Sequence, residues 1–342
     1  MDGGYVEPSG IYFLNPGDVY YVSGSIVEED IMTREDLLSF AWWNTGLCPP
    51  RKSVTHTPEQ VGHAHAVVQQ LVEAESVDLL ALGEVAAEQA ERIHAVCCSR
   101  ESRRLVVDAR PEEGGHRNLA VLYNGLKLQL HGGPRALYDS QGGSRLHVGM
   151  HLLFSISAFP VPLHVFVVHW PSRMRPDSGL LRPMLGRTLQ SRIDELVRSE
   201  QRPPHVLVLG DFNDEPFNDS MSTALLGSRD RNLVRKRPQL LYNPFWRLLG
   251  EQQGLEEESD GRLGAGTHYY RGTVSTHWHT YDQFLVSASL LAGPGWVLRE
   301  VGTRIWQRPP LLSPQGRFAS RFDHFPILGM LSHVAPVEIS GA

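Results

Sequence analysis

An α/β fold of two β-sheets packed face to face, with helices outside, is what the sequence predicts. Three observations carry that reading. Apolar runs of strand length alternate with segments of helical spacing in the first part of the chain. Elsewhere strand-like runs follow one another directly, which a single doubly wound parallel sheet does not do. No internal repeat or low-complexity linker interrupts the 342 residues. One domain is therefore expected over 36–334, with an extension at 1–35 and a tail at 335–342.

The elements follow in order. Residues 1–35 set Pro8, Gly10, Pro16 and Gly17 between short apolar stretches, the pattern of a hairpin or an irregular extension. Leu37 to Trp43 reads as a buried strand ending in Asn44. Pro58 to Ala74 has helical spacing, with Val61, Ala64, Val68, Leu71 and Val72 on one face. Val77 to Leu82 is a strand ending at Gly83-Glu84, and Ala86 to Val96 a helix. Strand-like runs come next at 104–108, 119–123, 146–154 and 163–168. A helix at about 181–198 precedes the strand Val206 to Leu209. A charged, less regular stretch covers about 228–275. Tyr281 to Ser287 and Phe325 to Leu331 close the pattern as two strands.

Composition narrows the class. Hydrophobic residues make up 41% and charged residues 20%, the profile of a globular soluble chain. The net charge of −6 excludes a strongly basic nucleic-acid coat protein, so a polyanion site would be a local patch. Three cysteines, Cys48, Cys97 and Cys98, make a poor disulfide framework. No secretory signal is visible, and no apolar run approaches the roughly 20 residues that span a bilayer. A reducing cytoplasm is the expected location.

The chemistry sits at strand ends. Asn44 ends the first strand, Glu84 follows the second, and His169 ends Val165-Phe-Val-Val168. Asp211 and Asn213 follow Val206–Leu209, Asp282 opens Asp-Gln-Phe-Leu-Val-Ser, and Asp323-His324 precedes Phe325-Pro-Ile-Leu. Loops leaving rigid strand ends can converge on one cleft. Such a set suits hydrolysis of a phosphoester with a hard cation. Mg²⁺ takes oxygen ligands and keeps several waters. A carboxylate activates water, and a histidine donates to the phosphoryl group. Each residue alone has a bland reading as a turn or loop residue. Gly210-Asp-Phe-Asn213 is the exception, since Asp214 and Glu215 already supply the turn.

Trp43-Asn44, Gly83-Glu84, His169-Trp-Pro-Ser-Arg173, Gly210-Asp-Phe-Asn-Asp214, Tyr281-Asp-Gln-Phe-Leu-Val-Ser287 and Phe322-Asp-His-Phe-Pro326 together resemble the endonuclease/exonuclease/phosphatase (DNase I-like) superfamily. They stand in that superfamily's order over about 37–332, and the His-Trp-Pro-Ser-Arg form is similar to a bacterial branch. The resemblance implies a four-layer α/β sandwich of two mixed β-sheets with the site at one edge. It implies that Glu84 and Asp323 hold Mg²⁺ (or Mn²⁺), with Asn44 close by as a further metal-site residue. Asp211 would activate the water, Asn213 hold the scissile phosphate and His169 stabilise the transition state. Asp282 would orient His324 toward the phosphate. Ser172 and Arg173 are expected as substrate contacts, with a loop-structural role at even odds.

The resemblance implies a metal-dependent phosphodiesterase, read first as a nuclease on DNA or RNA. A phosphatase or phosphodiesterase of a small-molecule or lipid phosphoester is the alternative, and an inactive binding module the remote one. Tyr281-Asp282-Gln283 departs from the Cys-Asp-Arg of inositol-polyphosphate phosphatases, and Asn44-Thr-Gly-Leu47 from the pattern of apurinic endonucleases. The basic run Arg229 to Arg237, followed by Tyr242, Phe245 and Trp246, is a candidate nucleic-acid path. His63 and His65 sit at i and i+2 on a helix and do not face one another. His277 and His279 flank Trp278, for which a structural role is expected.

Overall fold

The computed structural model describes residues 37–48, 56–97, 102–107, 119–141, 144–158, 161–174, 176–249, 266–270, 277–312 and 322–335. The extension at 1–35, Cys98 and the C-terminal tail from 336 lie outside them.

Strand β1 (Leu37–Asn44) runs parallel to β2 (Leu79–Gly83) and antiparallel to β17 (Ile327–Val334). On the far side of β2 lie β4 (Ala120–Asn124) and then β3 (Arg103–Val107), while β15 (Gly295–Leu298) and β16 (Arg304–Ile305) pair with β17. These seven strands form the first sheet of the described residues. The second is built around β7 (Ser144–Ile156), β8 (Pro162–His169), β9 (His205–Asp211) and β14 (Asp282–Ser287). Strands β5 (Leu128–Leu130) and β6 (Arg135–Gln141) pair with β7, and β11 (Leu241–Tyr242) with β10 (Gly227–Ser228) extend the other edge. A separate hairpin joins β12 (His268–Tyr269) to β13 (Trp278–His279).

The central strands are apolar on both faces because both are covered. Phe40, Trp42 and Leu79 point inward with Val165, Val167, Leu207, Leu209 and Phe284 of the opposing sheet, forming the core between sheets. Ala41, Trp43, Leu80 and Leu82 point outward under α1 (Pro58–Gln69) and α2 (Ala87–Cys97). Phe166, Val168, Val206 and Val208 point outward under Leu185, Leu189 and Ile193 of α3 (Ser178–Ser199). Helix, sheet, sheet and helix make four layers, as the resemblance implied.

Local signals set the helix starts. The Thr57 hydroxyl accepts from Gln60 N–H and the Gln60 side chain accepts from Thr57 N–H, a capping box with Pro58 in the first turn. Residues 70–74 continue α1 as a π-helical turn. Helix α3 begins at Ser178, three residues before the expected start, and carries Pro183 near its N-terminus. The expected strand at 146–154 is longer, and β5 and β6 were not expected. Gly132, Gly133 and Pro134 separate those two short, polar strands, and their apolar alternation is weak. The irregular stretch resolves in its described parts into β10, α4 (Arg231–Lys236), β11, a 3₁₀ turn at Pro244–Leu248 and β12. No helix of the described residues is long and apolar enough to cross a membrane.

Candidate active site

Register explains why the predicted residues meet. His169 pairs with Asp211 across the parallel strands β8 and β9, so both leave the sheet at the same level. Strand β14 is antiparallel to β9, and its first residue, Asp282, pairs with Asp211. In the first sheet Asn44 pairs with Gly83, which places Glu84 one residue beyond the parallel pair. Strand β17 runs the other way and is entered just after Asp323-His324. Six strands therefore deliver their polar ends to one edge of the sandwich.

The two sheets are also tied together there. Trp42 Nε1–H donates to Asp282 Oδ1 at 2.7 Å, and Trp43 Nε1–H to the His324 carbonyl at 3.2 Å. Asn44 Nδ2 lies 3.4 Å from Glu84 Oε1 and 3.3 Å from Asp211 Oδ2, joining a carboxylate of each sheet. Asn44 Oδ1 accepts from Gly46 N–H at 3.1 Å, which fixes the amide orientation. Asn44 thus presents nitrogen to the carboxylates, where sequence reasoning expected it near a metal. As placed, its nitrogen holds the Glu84 and Asp211 carboxylates toward each other.

Two non-glycine residues here have left-handed backbone: Glu84 at φ 49° and Asn213 at φ 52°. Such conformations are sparsely populated and persist where surrounding bonds impose them. The Glu84 carbonyl accepts from Cys48 N–H at 2.6 Å and from the Thr45 hydroxyl at 2.9 Å. Asn213 N–H donates to Asp211 Oδ1 at 2.8 Å, and Asn213 Nδ2 donates to the Trp170 carbonyl at 3.0 Å. That bond uses one of the two Nδ2 hydrogens.

Asp211 is buried and takes the middle of the cluster. Its Oδ2 lies 3.8 Å from His169 Nε2 and 3.8 Å from His324 Nε2. His169 Nε2 is also 3.6 Å from Glu84 Oε1. His324 Nδ1 is 2.7 Å from Asp282 Oδ2, and its Nε2 is 3.9 Å from Asp323 Oδ1. Burial alone would lower the imidazole of His324. The Asp282 carboxylate overrides it, with Asp323 and Asp211 adding to the effect, and holds His324 well above the usual histidine range. Burial raises Asp282 in turn, against the His324 charge and the Trp42 N–H. The pair is a fixed donor, with one proton directed outward from His324 Nε2.

The neighbouring residues sort differently. Ser172 is exposed in a turn, where its hydroxyl accepts from Met174 N–H at 3.3 Å. The Arg173 side chain is 39% exposed but is held by bonds to the protein itself. It donates to the Asn213 carbonyl at 3.0 Å and to Asp214 Oδ1 at 2.8 Å, contacts Asn218, and lies over the Tyr281 ring at 5.2 Å. Those bonds brace the Asp211–Asp214 loop, the loop-structural alternative of the sequence reading. Trp278 is buried and stacks on Phe325, in line with its expected structural role. His279 pairs with Glu215 at 3.1 Å.

Sequence reasoning missed His268. Its ring lies 4.4 Å from that of His324, and its Nε2 is 3.8 Å from Asp323 Oδ2. It sits in the stretch read as irregular, with no flanking motif to mark it. Desolvation works against the Asp323 carboxylate, yet the His268 hydrogen bond and the His324 charge outweigh it and hold the carboxyl at about 2.

Carboxylates and imidazoles here could hold a divalent cation: His268, Asp323 and His324 offer ligand atoms within 4.8 Å of one another, as do Asp211, Asp282 and His324. Glu84, Asp211 and Asp323 bring carboxylate oxygens to one cleft, and the Asp323 side chain is 58% exposed, leaving room for bound water.

Comparisons with known proteins bear on the fold and the family. A search of curated proteins finds no match. Among solved structures, an endonuclease/exonuclease/phosphatase family protein from Bacteroides thetaiotaomicron superposes with a TM-score of 0.57 at 16% identity, covering 87% of this chain and 95% of that one. The human Nocturnin catalytic domain with bound sulfate anion gives 0.55 at 16% identity, over 89% and 97%. The Bacteroides thetaiotaomicron mannosyl-6-phosphatase gives 0.53 at 16% identity, over 86% and 99%. These likenesses establish the fold. Residues 152–326, just over half of the chain, match the Endonuclease/Exonuclease/phosphatase family and span His169, Asp211, Asn213, Asp282 and His324. The chain belongs to that family, whose members are hydrolases acting on phosphoesters.

Proposed function

We propose that this protein is a metal-dependent phosphodiesterase that cleaves DNA or RNA by in-line attack of an activated water. The observation that carries the reading is the convergence of Glu84, His169, Asp211, Asn213, Asp323 and the Asp282–His324 pair on one sheet edge.

Glu84 and Asp323 would hold a Mg²⁺ ion, with Asn44 keeping Glu84 and Asp211 in place. When bound, the cation neutralises charge on the phosphoryl oxygens. Asp211 Oδ1 accepts from Asn213 N–H and Oδ2 from Asn44 Nδ2; Oδ2, which lies toward His169 and His324, has a second lone pair to orient a water and accept its proton. Asn213 Nδ2–H and His324 Nε2–H donate to the phosphoryl oxygens. Asp282 keeps His324 charged for that purpose. His169 Nε2 faces the same space and stabilises the charge that develops as the phosphorus–oxygen bond breaks.

Support for a polymeric substrate comes from a ridge beside the site. Phe217 is 52% exposed, its ring lies 6.3 Å from that of Trp246, and Arg229 covers the Trp246 ring at 5.3 Å. The Leu248 carbonyl accepts from the Thr280 hydroxyl, tying the Trp246 turn to the segment that enters Asp282. Aromatic faces stack nucleobases without sequence preference.

The basic run of 229–237 supports this less than the sequence suggested. Arg231 is held by Glu300 at 3.1 Å and by the Leu291 carbonyl at 2.7 Å. Helix α4, with Arg235 and Lys236, packs on the turn at 288–290, the end of β14 opposite Asp282. Tyr242 and Phe245 are buried core residues. That placement favours the second reading, a phosphatase or phosphodiesterase of a small phosphoester, a class that includes the mannosyl-6-phosphatase of similar fold.

A substrate panel with Mg²⁺ or Mn²⁺ separates the two: single- and double-stranded DNA, RNA, nucleotides, sugar phosphates and a bis-aryl phosphate. Polymer cleavage that is lost in Asp323→Ala and weakened several-fold in Trp246→Ala supports the nuclease reading. Turnover of monoesters alone rejects it. Full activity in Asp211→Asn would reject the site assignment.

A further inference from the structure

We infer that His268, Asp323 and His324 form a second, transition-metal site that overlaps the first through Asp323 and His324 and takes a zinc-class ion at the rim of the cleft. Part of its consequence rests on the reading above.

The three side chains offer one ligand atom each, all within 4.8 Å of one another. His268 Nε2 lies 3.8 Å from Asp323 Oδ2, and His324 Nε2 3.9 Å from Asp323 Oδ1. An ion at about 2.0–2.1 Å from each donor spans at most roughly 4.2 Å between two ligands. The donors therefore need only a short inward movement, and the exposed Asp323 side chain is free to make it.

The backbone holds the set in register. His268 and His324 form a β-bridge, Tyr269 N–H donates to the Asp323 carbonyl at 2.8 Å, and Phe325 N–H to the Thr267 carbonyl at 2.7 Å. The His268 ring is stacked against Tyr281 at 5.2 Å and Tyr270 at 6.4 Å. Its Nε2 faces the carboxylate; to bind a metal that nitrogen must give up its hydrogen, leaving the ring hydrogen on Nδ1, which is buried with no hydrogen-bond partner among the described residues.

Ligand chemistry selects the ion. Two imidazoles and one carboxylate make a nitrogen-rich site suited to Zn²⁺ or Co²⁺, while Mg²⁺ takes oxygen. His324 meets the further requirement of a metal-binding histidine: its other nitrogen is held by a carboxylate, Asp282 Oδ2 at 2.7 Å. Three protein ligands leave a fourth position open. The consequence follows from shared residues. An ion here displaces the proton from the His324 nitrogen assigned to the phosphate, releasing it to solvent, and occupies the Asp323 carboxylate assigned to Mg²⁺, so zinc binding would antagonise Mg²⁺-supported hydrolysis.

The test uses the full chain with Co²⁺ as a spectroscopic probe and no substrate. A four- or five-coordinate, nitrogen-ligated Co²⁺ absorbs visible light far more strongly than an oxygen-ligated six-coordinate ion. The expected result is one saturable strong band, displaced by Zn²⁺ and not by excess Mg²⁺. His268→Phe, which keeps the ring stack, should weaken cobalt affinity at least about tenfold and lessen zinc inhibition by the same factor. Should its thermal melt show misfolding, His268→Gln replaces it. Asp211→Asn should retain the band. No strong band, an unchanged affinity in the folded His268 variant, or a band lost in Asp211→Asn would each overturn the site. The cobalt readout needs no turnover, so its failure is distinct from failure of the hydrolytic reading.

Discussion

Trp42 has two roles, and a single substitution separates them. Its indole is fully buried between the sheets, and its N–H ends on Asp282 Oδ1, the carboxylate that aligns His324. Trp42→Phe keeps most of the apolar contact but leaves a buried carboxylate oxygen short of a donor, at a cost of about 1–3 kcal/mol. The Asp282–His324 geometry should loosen with it. The expected outcome is a fall of about tenfold or more in kcat for the best phosphoester substrate, beside a modest drop in the urea midpoint. Unchanged kcat would mean that the indole N–H does not position the pair. Glu84 makes a related case, since its left-handed backbone is held by Thr45 and Cys48. Thr45→Val should lower activity without altering any residue that faces substrate, because the carboxylate it aims is displaced. Enzyme assays with matched melting curves check both.

At the scale of elements, the site depends on how closely β8 and β9 approach. A Cβ placed on Gly210 would stand 1.9 Å from the Val168 carbonyl oxygen, and the backbone there has φ 156°. Those two strands carry His169 and Asp211 at their paired ends. Gly210→Ala should therefore push apart the two strand ends, destabilising the fold by about 3 kcal/mol or more and removing the proposed activity. Chemical denaturation and a turnover assay read the two effects. The glycine is part of Gly210-Asp-Phe-Asn213, and it shows why that motif was legible in sequence. The strand must be apolar on both faces and must meet its neighbour without a side chain at the last step, which leaves a recognisable string. Register did the same for Asn44, Glu84, His169, Asp282 and His324, each at the end of a strand visible from its apolar run. His268 left no such trace. It reaches the site through a β-bridge to His324, a contact between residues 56 apart in sequence that no local pattern encodes. Strands β5 and β6 were missed for a different reason: their pairing with the long β7, more than apolar alternation, makes them strands. For Arg173 the motif left substrate contact and a loop-structural role at even odds, and its bonds to Asp214 and Asn213 are internal.

For the whole molecule, the end of the second sheet opposite the cleft sets an acid limit on stability. There His151 Nε2 meets His164 Nδ1 at 3.0 Å, and His164 Nε2 meets Glu200 Oε1 at 2.7 Å, just past α3. Burial holds His164 below its ordinary value despite Glu200, so its ring is neutral; with Nε2–H donated to Glu200, Nδ1 accepts from His151 Nε2–H. Burial, then the nearby His164 and Arg135, push His151 down to about 4. A depressed histidine contributes stability that is complete above its unfolded value near 6.5 and is lost as pH falls toward 4. For His151 alone, moving from pH 7 to pH 5 should remove about 2 kcal/mol. Other groups titrate in that range too, so the informative quantity is the difference between proteins. His151→Phe keeps the ring stacked on Phe166, 4.5 Å away at 12°, and has nothing to protonate. It should be less stable at pH 7 by about 1 kcal/mol, for the lost hydrogen bond to His164. It should also lose clearly less on acidification than the parent chain, so the two stability curves converge or cross near pH 5. Urea unfolding at a series of pH values measures both. Parallel curves would show that His151 does not carry the acid sensitivity of this end of the sandwich.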